Sequence, residues 1–138
     1  MSRYLLDTSA LLTLRDDEAG ADLVAALLYE SQRGAVTCFA SFMTQMEILY
    51  RVWKDEGKEA GRLAYEQCRS LPITWVLVDA PLTEKAAELK ATHSISVADS
   101  WIAATALLQS AILVHKDPEL AQVNCPQQVL PYKAVPKN

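Results

Sequence analysis

Four short runs rich in apolar residues, Arg3 to Leu6, Ala35 to Phe39, Ile73 to Val78 and Ala111 to His115, are each followed by a stretch with helical spacing. That alternation constrains the fold more than any other feature of the chain. Runs without a polar face fit strands buried on both sides, and strands separated by helices must run parallel, with the helices covering both faces. Helix signals punctuate the rest. A turn of helix is expected from Ser9, and a longer helix from about Asp17 to Arg33, stopped by Gly34, with Leu23, Val24, Leu27 and Leu28 on its inner face. Ser41 is a natural N-cap for a helix reaching Glu56, where Gly57 ends it. A further helix spans Lys58 to Ser70 before Pro72. Pro81 opens another, Ser96 caps one from Val97 to about Gln109, and Pro118 starts a short one. A last strand includes Val129 and Leu130. The expected fold is a three-layer α/β/α arrangement with a mostly parallel central sheet, one domain over 1–132 and a loose tail over 133–138.

Composition narrows the function classes. A chain of 138 residues fits one domain with a sizeable core. Its net charge of -4 argues against a surface that coats nucleic acid, because phosphate binding needs clustered Lys and Arg, so such contact must be local. Arg51, Lys54, Lys58 and Arg62 form a basic stretch interrupted by Asp55, Glu56 and Glu59, which reads as a solvated helix pair before it reads as an RNA track. Cys38, Cys68 and Cys125 show neither a disulfide framework nor a zinc knuckle and fit a reducing cytoplasm. The first apolar stretch is cut short by Asp7, and none approaches the roughly 20 apolar residues of a membrane span. Neither secretion nor insertion is expected.

Four acids carry the chemistry. Asp7, placed between a strand and Thr8-Ser9, would alone be read as a helix cap. Asp99, third in the helix capped by Ser96, would complete a capping box. Glu47 lies on an apolar helix, where an ion needs compensation, and either pairs with Arg51 four residues on or serves a site. Asp117 would cap the turn at Pro118 or pair with Lys116. Taken jointly, the balance shifts. Each follows a strand or a connecting segment, and ligands of such sheets bind beyond the carboxyl ends of the strands. Carboxylates about 5 Å apart repel by about 3 kcal/mol per pair at an effective dielectric near 20, so a cluster needs a cation. An oxygen-only set favours Mg²⁺ or Mn²⁺ over zinc, and Mg²⁺ accepts phosphate oxygens, which suits phosphodiester hydrolysis.

At this point the chain resembles the PIN-domain ribonucleases, and among them the VapC-like toxins of toxin-antitoxin pairs. Leu5-Leu6-Asp7-Thr8-Ser9-Ala10-Leu11-Leu12 is similar to the family's opening motif, and Glu47 in Thr44-Gln45-Met46-Glu47-Ile48 to its second acid. The run from Ser96 to Ala106 around Asp99 resembles the third motif most closely. The fourth departs: the family usually has Thr or Ser two residues before its last acid, whereas this chain has His115 before Asp117 and local hydrogen bonding must differ. His115 is read as structural. The resemblance implies an endoribonuclease in which Asp7, Glu47, Asp99 and Asp117 hold one or two Mg²⁺ ions, with Thr8 and Ser9 assisting by hydrogen bonds. It also implies an RNA substrate, a cognate antitoxin and a homodimer, for which Tyr50, Trp53 and Tyr65 offer apolar surface, although core packing explains most such residues. Two alternatives stand beside it. One is a PIN-like binding module with weak or no catalysis. The other is a phosphatase with Asp7 as covalent nucleophile, disfavoured because Ser9 stands where a second Asp is usual in such enzymes.

Overall fold

Leu5 and Leu6 are adjacent in the chain and both fully buried, so the strand that carries them must be covered on two sides. Side chains alternate across a strand, and these two enter different cores. Leu5 joins Phe39, Leu113, Leu82, Leu89 and Ile102 on one face. Leu6 joins Cys38, Val114, Val24, Leu28, Ile48 and Val52 on the other. The computed structural model describes residues 1–132, and the tail expected over 133–138 lies outside them. The first half of the chain runs β1 (Ser2–Leu6), α1 (Thr8–Arg15), α2 (Ala21–Gln32), β2 (Val36–Ser41), α3 (Phe42–Glu56) and α4 (Lys58–Arg69). It continues through β3 (Thr74–Val76), α5 (Ala80–Thr92), α6 (Val97–Leu108), β4 (Ile112–His115), a 3-10 turn (Leu120–Gln122) and β5 (Gln127–Val129).

All strand pairings among these residues are parallel, in the order β3-β2-β1-β4-β5. Helices α5 and α6 cover one face and α1 to α4 the other, which gives the three layers expected from the strand–helix alternation. α6 is built for a deep position: Ala103, Ala104 and Ala106 are small enough for close approach and are buried beside Ile102. α3 and α4 pack tightly because Gly61 lacks a Cβ, which would sit 2.8 Å from the Leu49 carbonyl oxygen and 2.9 Å from Trp53 Cβ. The caps behave as their residue types predict. Ser41 accepts from the Met43 N–H and Ser96 from the Asp99 N–H, and Gly57 ends α3 at φ 102°.

Two local expectations are corrected. The helix expected from Asp17 starts at Ala21, because Asp17 (φ 50°) and Gly20 (φ 101°) both lie in left-handed conformations that break the helix between α1 and α2. Its inner face is also narrower, with Val24 and Leu28 buried while Leu23 is 36% exposed. The helix expected from Pro118 is a 3-10 turn beginning at Leu120, since the Asp117 side chain takes the Glu119 N–H and organises a tight turn first.

Candidate functional site

β1 is flanked by β2 on one side and β4 on the other, so the chain order reverses direction across it. A crevice opens at such a reversal, beyond the carboxyl ends of the strands. Asp7 follows β1 directly, and its N–H continues the ladder by donating to the Val114 carbonyl at 3.0 Å. Asp117 follows β4 by two residues, Glu47 sits in the second turn of α3 and Asp99 in the first turn of α6. All four expected acids, with Thr8 and Ser9, line one cleft of about 270 Å³, whose wall also includes Arg51, Lys116 and Pro118.

Each acid answers the bland reading differently. Asp7 does cap α1: its Oδ2 accepts from the Ser9 N–H at 3.0 Å and from the Ser9 hydroxyl, which leaves Oδ1 outside the capping bonds. Ser9 Oγ in turn accepts from the Lys116 N–H at 3.0 Å, tying the start of α1 to the end of β4. Glu47 takes a hydrogen bond from Thr8 Oγ1 at 2.7 Å, and Thr8 Oγ1 lies 3.0 Å from the buried Thr44 Oγ1. Arg51 tempers the Glu47 charge only from a distance. Asp99 makes half of a capping box. Ser96 Oγ accepts from the Asp99 N–H at 3.1 Å, but the Ser96 N–H donates to Glu119 Oε2 at 3.3 Å, so the Asp99 carboxylate does not complete the box. Lys116 pairs with Glu18 at 2.6 Å, not with Asp117.

Burial and crowding raise the proton affinity of this group. Desolvation pushes the Asp7 carboxyl above its ordinary value, opposed by the Ser9 hydrogen bonds and reinforced by Asp117. Glu47 is raised by burial first, opposed by Thr8. Asp99 is pushed up to about 9, by burial first and then by carboxyl contacts with Glu119 and Asp117. Oxygens of Asp99, Asp117 and Glu119 lie within 4.8 Å of one another. Glu119 was not singled out from sequence, although its place two residues after Asp117 was a usable signal. Thr44 and Gln127 were also missed, because nothing local marks a partner of Thr8 or of His115.

Carboxylates in a confined, partly dry cleft are stable only when protonated or when a cation replaces the protons. The donors are oxygens alone, the chemistry of a hard divalent ion. The residues present therefore fit such an ion, with Asp99, Asp117 and Glu119 closest together.

The sequence profile of the PIN domain family matches residues 4–124. No curated protein matches the sequence. Among solved structures, the chain is similar to a VapBC2 chain from Rickettsia felis, crystallised bound to a DNA fragment from its promoter, with TM-score 0.74, 19% identity, and coverage of 94% of this chain and 99% of that one. It is similar to VapBC-1 from nontypeable Haemophilus influenzae, with TM-score 0.69, 21% identity and coverage of 92% and 97%. It is also similar to VapC20 of Mycobacterium tuberculosis, a sarcin-ricin loop cleaving toxin, with TM-score 0.70, 17% identity and coverage of 94% and 100%. At these identities the likeness to the solved structures concerns the fold.

Proposed function

Since this chain belongs to the PIN domain family, we propose that it is a metal-dependent endoribonuclease of the cytoplasm, acting as the toxin of a toxin-antitoxin module. The observation that carries this reading is the convergence of Asp7, Glu47, Asp99 and Asp117, from four separate elements, on one cleft. These four, with Glu119 beside Asp99, are the residues that would hold Mg²⁺ or Mn²⁺. The ion would supply Lewis-acid polarisation of an RNA phosphodiester and an acidified water as nucleophile.

The chain's own residues do the rest. Ser9 fixes one oxygen of Asp7, and Thr8 fixes one oxygen of Glu47, so each carboxylate is oriented before a ligand arrives. Arg51, on the cleft wall, offers a local positive contact for a backbone phosphate in a chain whose overall charge is negative. Among the described residues none forms a Ser-His-Asp arrangement in the cleft: Ser9 donates to an acid, so it is a hydrogen-bonding partner and not a covalent nucleophile.

An antitoxin partner is supported by a second hollow of about 250 Å³, lined by Leu11, Leu12, Leu14, Ile48, Ala64 and Leu71, which suits an apolar segment. A homodimer is supported by the exposed Met46, Tyr50, Trp53 and Leu63 of α3 and α4. Cleavage of RNA in Mg²⁺ or Mn²⁺, compared with EDTA and with folded Asp7→Asn and Asp99→Asn proteins, tests the reading. Loss of cleavage in all three is expected, and equal activity in any of them sinks it.

A further inference from the structure

His115 ends β4 fully buried, close to the cleft but not lining it. A buried imidazole needs partners for both ring nitrogens. Here Nε2 lies 2.8 Å from Gln127 Oε1, and Nδ1 lies 3.0 Å from the backbone nitrogen of Asp117. The proton can be assigned from these partners. A backbone N–H only donates, so Nδ1 accepts and the proton of the neutral ring sits on Nε2, where it donates to Gln127 Oε1. The Gln127 amide is oriented independently, because its Nε2 donates to the carbonyls of Leu120 at 3.0 Å and Val123 at 2.8 Å, which a flipped amide would oppose.

The result is one directional series: two carbonyls, the Gln127 amide, the His115 ring and the Asp117 N–H. Its last member belongs to the turn over 116–119, where the one regular backbone bond accepted by Asp117 comes from the Leu120 N–H, at 3.1 Å, at the far end of the turn. Lys116 N–H goes to Ser9 Oγ, Asp117 N–H to His115, Pro118 has none, and Glu119 N–H goes to Asp117 Oδ1 at 2.9 Å. Side chains therefore take every N–H from Lys116 to Glu119, the stretch that presents Asp117.

We propose that His115 and Gln127 are positioning residues for Asp117: the imidazole, held in its Nε2–H tautomer by Gln127, anchors the turn that presents the Asp117 carboxylate beside Asp99. The inference rests on the reading of Asp117 as a ligand of a divalent ion. Neither residue touches the ion; both act through the Asp117 backbone. The competing role is that of a core filler, and the two roles rank substitutions in opposite order. Leucine at 115 fills the space but offers no acceptor. Asparagine places Oδ1 where Nδ1 stands and readily accepts the N–H two residues on, but leaves a hole where the ring was.

The test is calorimetric titration of the full chain with Mn²⁺ alone, with melting temperatures of the metal-free proteins measured in parallel. His115→Leu and Gln127→Met are expected to weaken Mn²⁺ binding by about tenfold or more, the scale of losses behind metal ligands, while His115→Asn stays within about threefold of the parent despite melting lower. Unchanged affinity in His115→Leu and Gln127→Met overturns the proposal, and so does a loss that simply follows melting temperature across the variants. Should His115→Leu fail to fold, Gln127→Met against His115→Asn decides. Asp117→Asn separates the two levels: unchanged Mn²⁺ affinity there overturns the metal reading and the proposal together. Weakened affinity there, with no effect of His115→Leu or Gln127→Met, overturns the positioning role alone.

Discussion

The two sides of the acidic cleft are built on different principles. On the side of β1 and α3, each acid has a hydroxyl: Ser9 serves Asp7, and Thr8 serves Glu47. On the side of α6 and the β4 turn, acid faces acid, with Asp99, Asp117 and Glu119 within 4.8 Å. On the first side the hydroxyls oppose the burial that raises both carboxyls. On the second, burial first and then the neighbouring Glu119 and Asp117 carboxyls push Asp99 up to about 9. Hydroxyls orient one pair of carboxylates, whereas the other three acids face one another, an arrangement that would supply affinity for a positive ion.

The sharpest way to break this contrast is Asp99→Asn. Cleavage of RNA and binding of Mn²⁺ should both fall by more than about a hundredfold, beyond the loss expected for a residue behind the ligands. The metal-free protein should meanwhile melt higher at pH 8, because Asp99 must take up a proton to fold at that pH whereas a neutral amide need not. A lower melting temperature would show that Asp99 supports the fold and is not held there against it.

Next comes pH. The Asp99 carboxyl binds its proton more tightly folded, near 9, than at its ordinary value of 3.8. Its contribution to stability is therefore fully present below about 3.8 and is lost as pH rises through about 9. Melting curves of the metal-free protein should lose stability across this window less steeply in Asp99→Asn. Mn²⁺ at about a hundred times its dissociation constant should restore about 2.7 kcal/mol at the alkaline end, and EDTA should remove that gain.

Thr8→Val probes the side of β1 and α3. Removing the donor to Glu47 should cost about 1–3 kcal/mol in chemical denaturation and about tenfold in cleavage, without changing the pH dependence set by Asp99. The smallest effect belongs to Glu119→Gln. The amide oxygen still accepts the Ser96 N–H, so stability should hold, while the lost charge should reduce Mn²⁺ affinity by about threefold. If Glu119→Gln proved as damaging as Asp99→Asn, the two acids would share one role.

Much of the fold was legible because strand and helix signals agreed with one another: the apolar runs, Ser41, Gly57, Pro81 and Ser96 all stand at or next to observed boundaries. The break between α1 and α2 was not, since a left-handed Asp17 leaves no pattern in composition. In the site, the four acids were visible as residues but their surroundings were not. Capping readings for Asp7 and Asp117 describe real bonds that occupy only part of each carboxylate. For Asp99 the capping reading fails, because Glu119 takes the N–H that would have occupied it. His115 looked partnerless for a related reason: Gln127 reaches it from a different strand, and sequence distance hides such a meeting.

The central position of β1 has a temporal consequence. Its first edge is taken by β2, with Leu5 beside Phe39, but its second edge waits for β4, where Leu5 meets Leu113. A chain made from its N-terminus can assemble β1 to β3 and α1 to α4 while it still lacks Asp99 and Asp117. The hydroxyl-served acids are thus in place early, and the ion-demanding ones arrive with almost the last strand. Throughout most of its synthesis the molecule carries half of a cleft, and under the proposed function chemical competence waits until β4 and then β5, with Gln127, have docked.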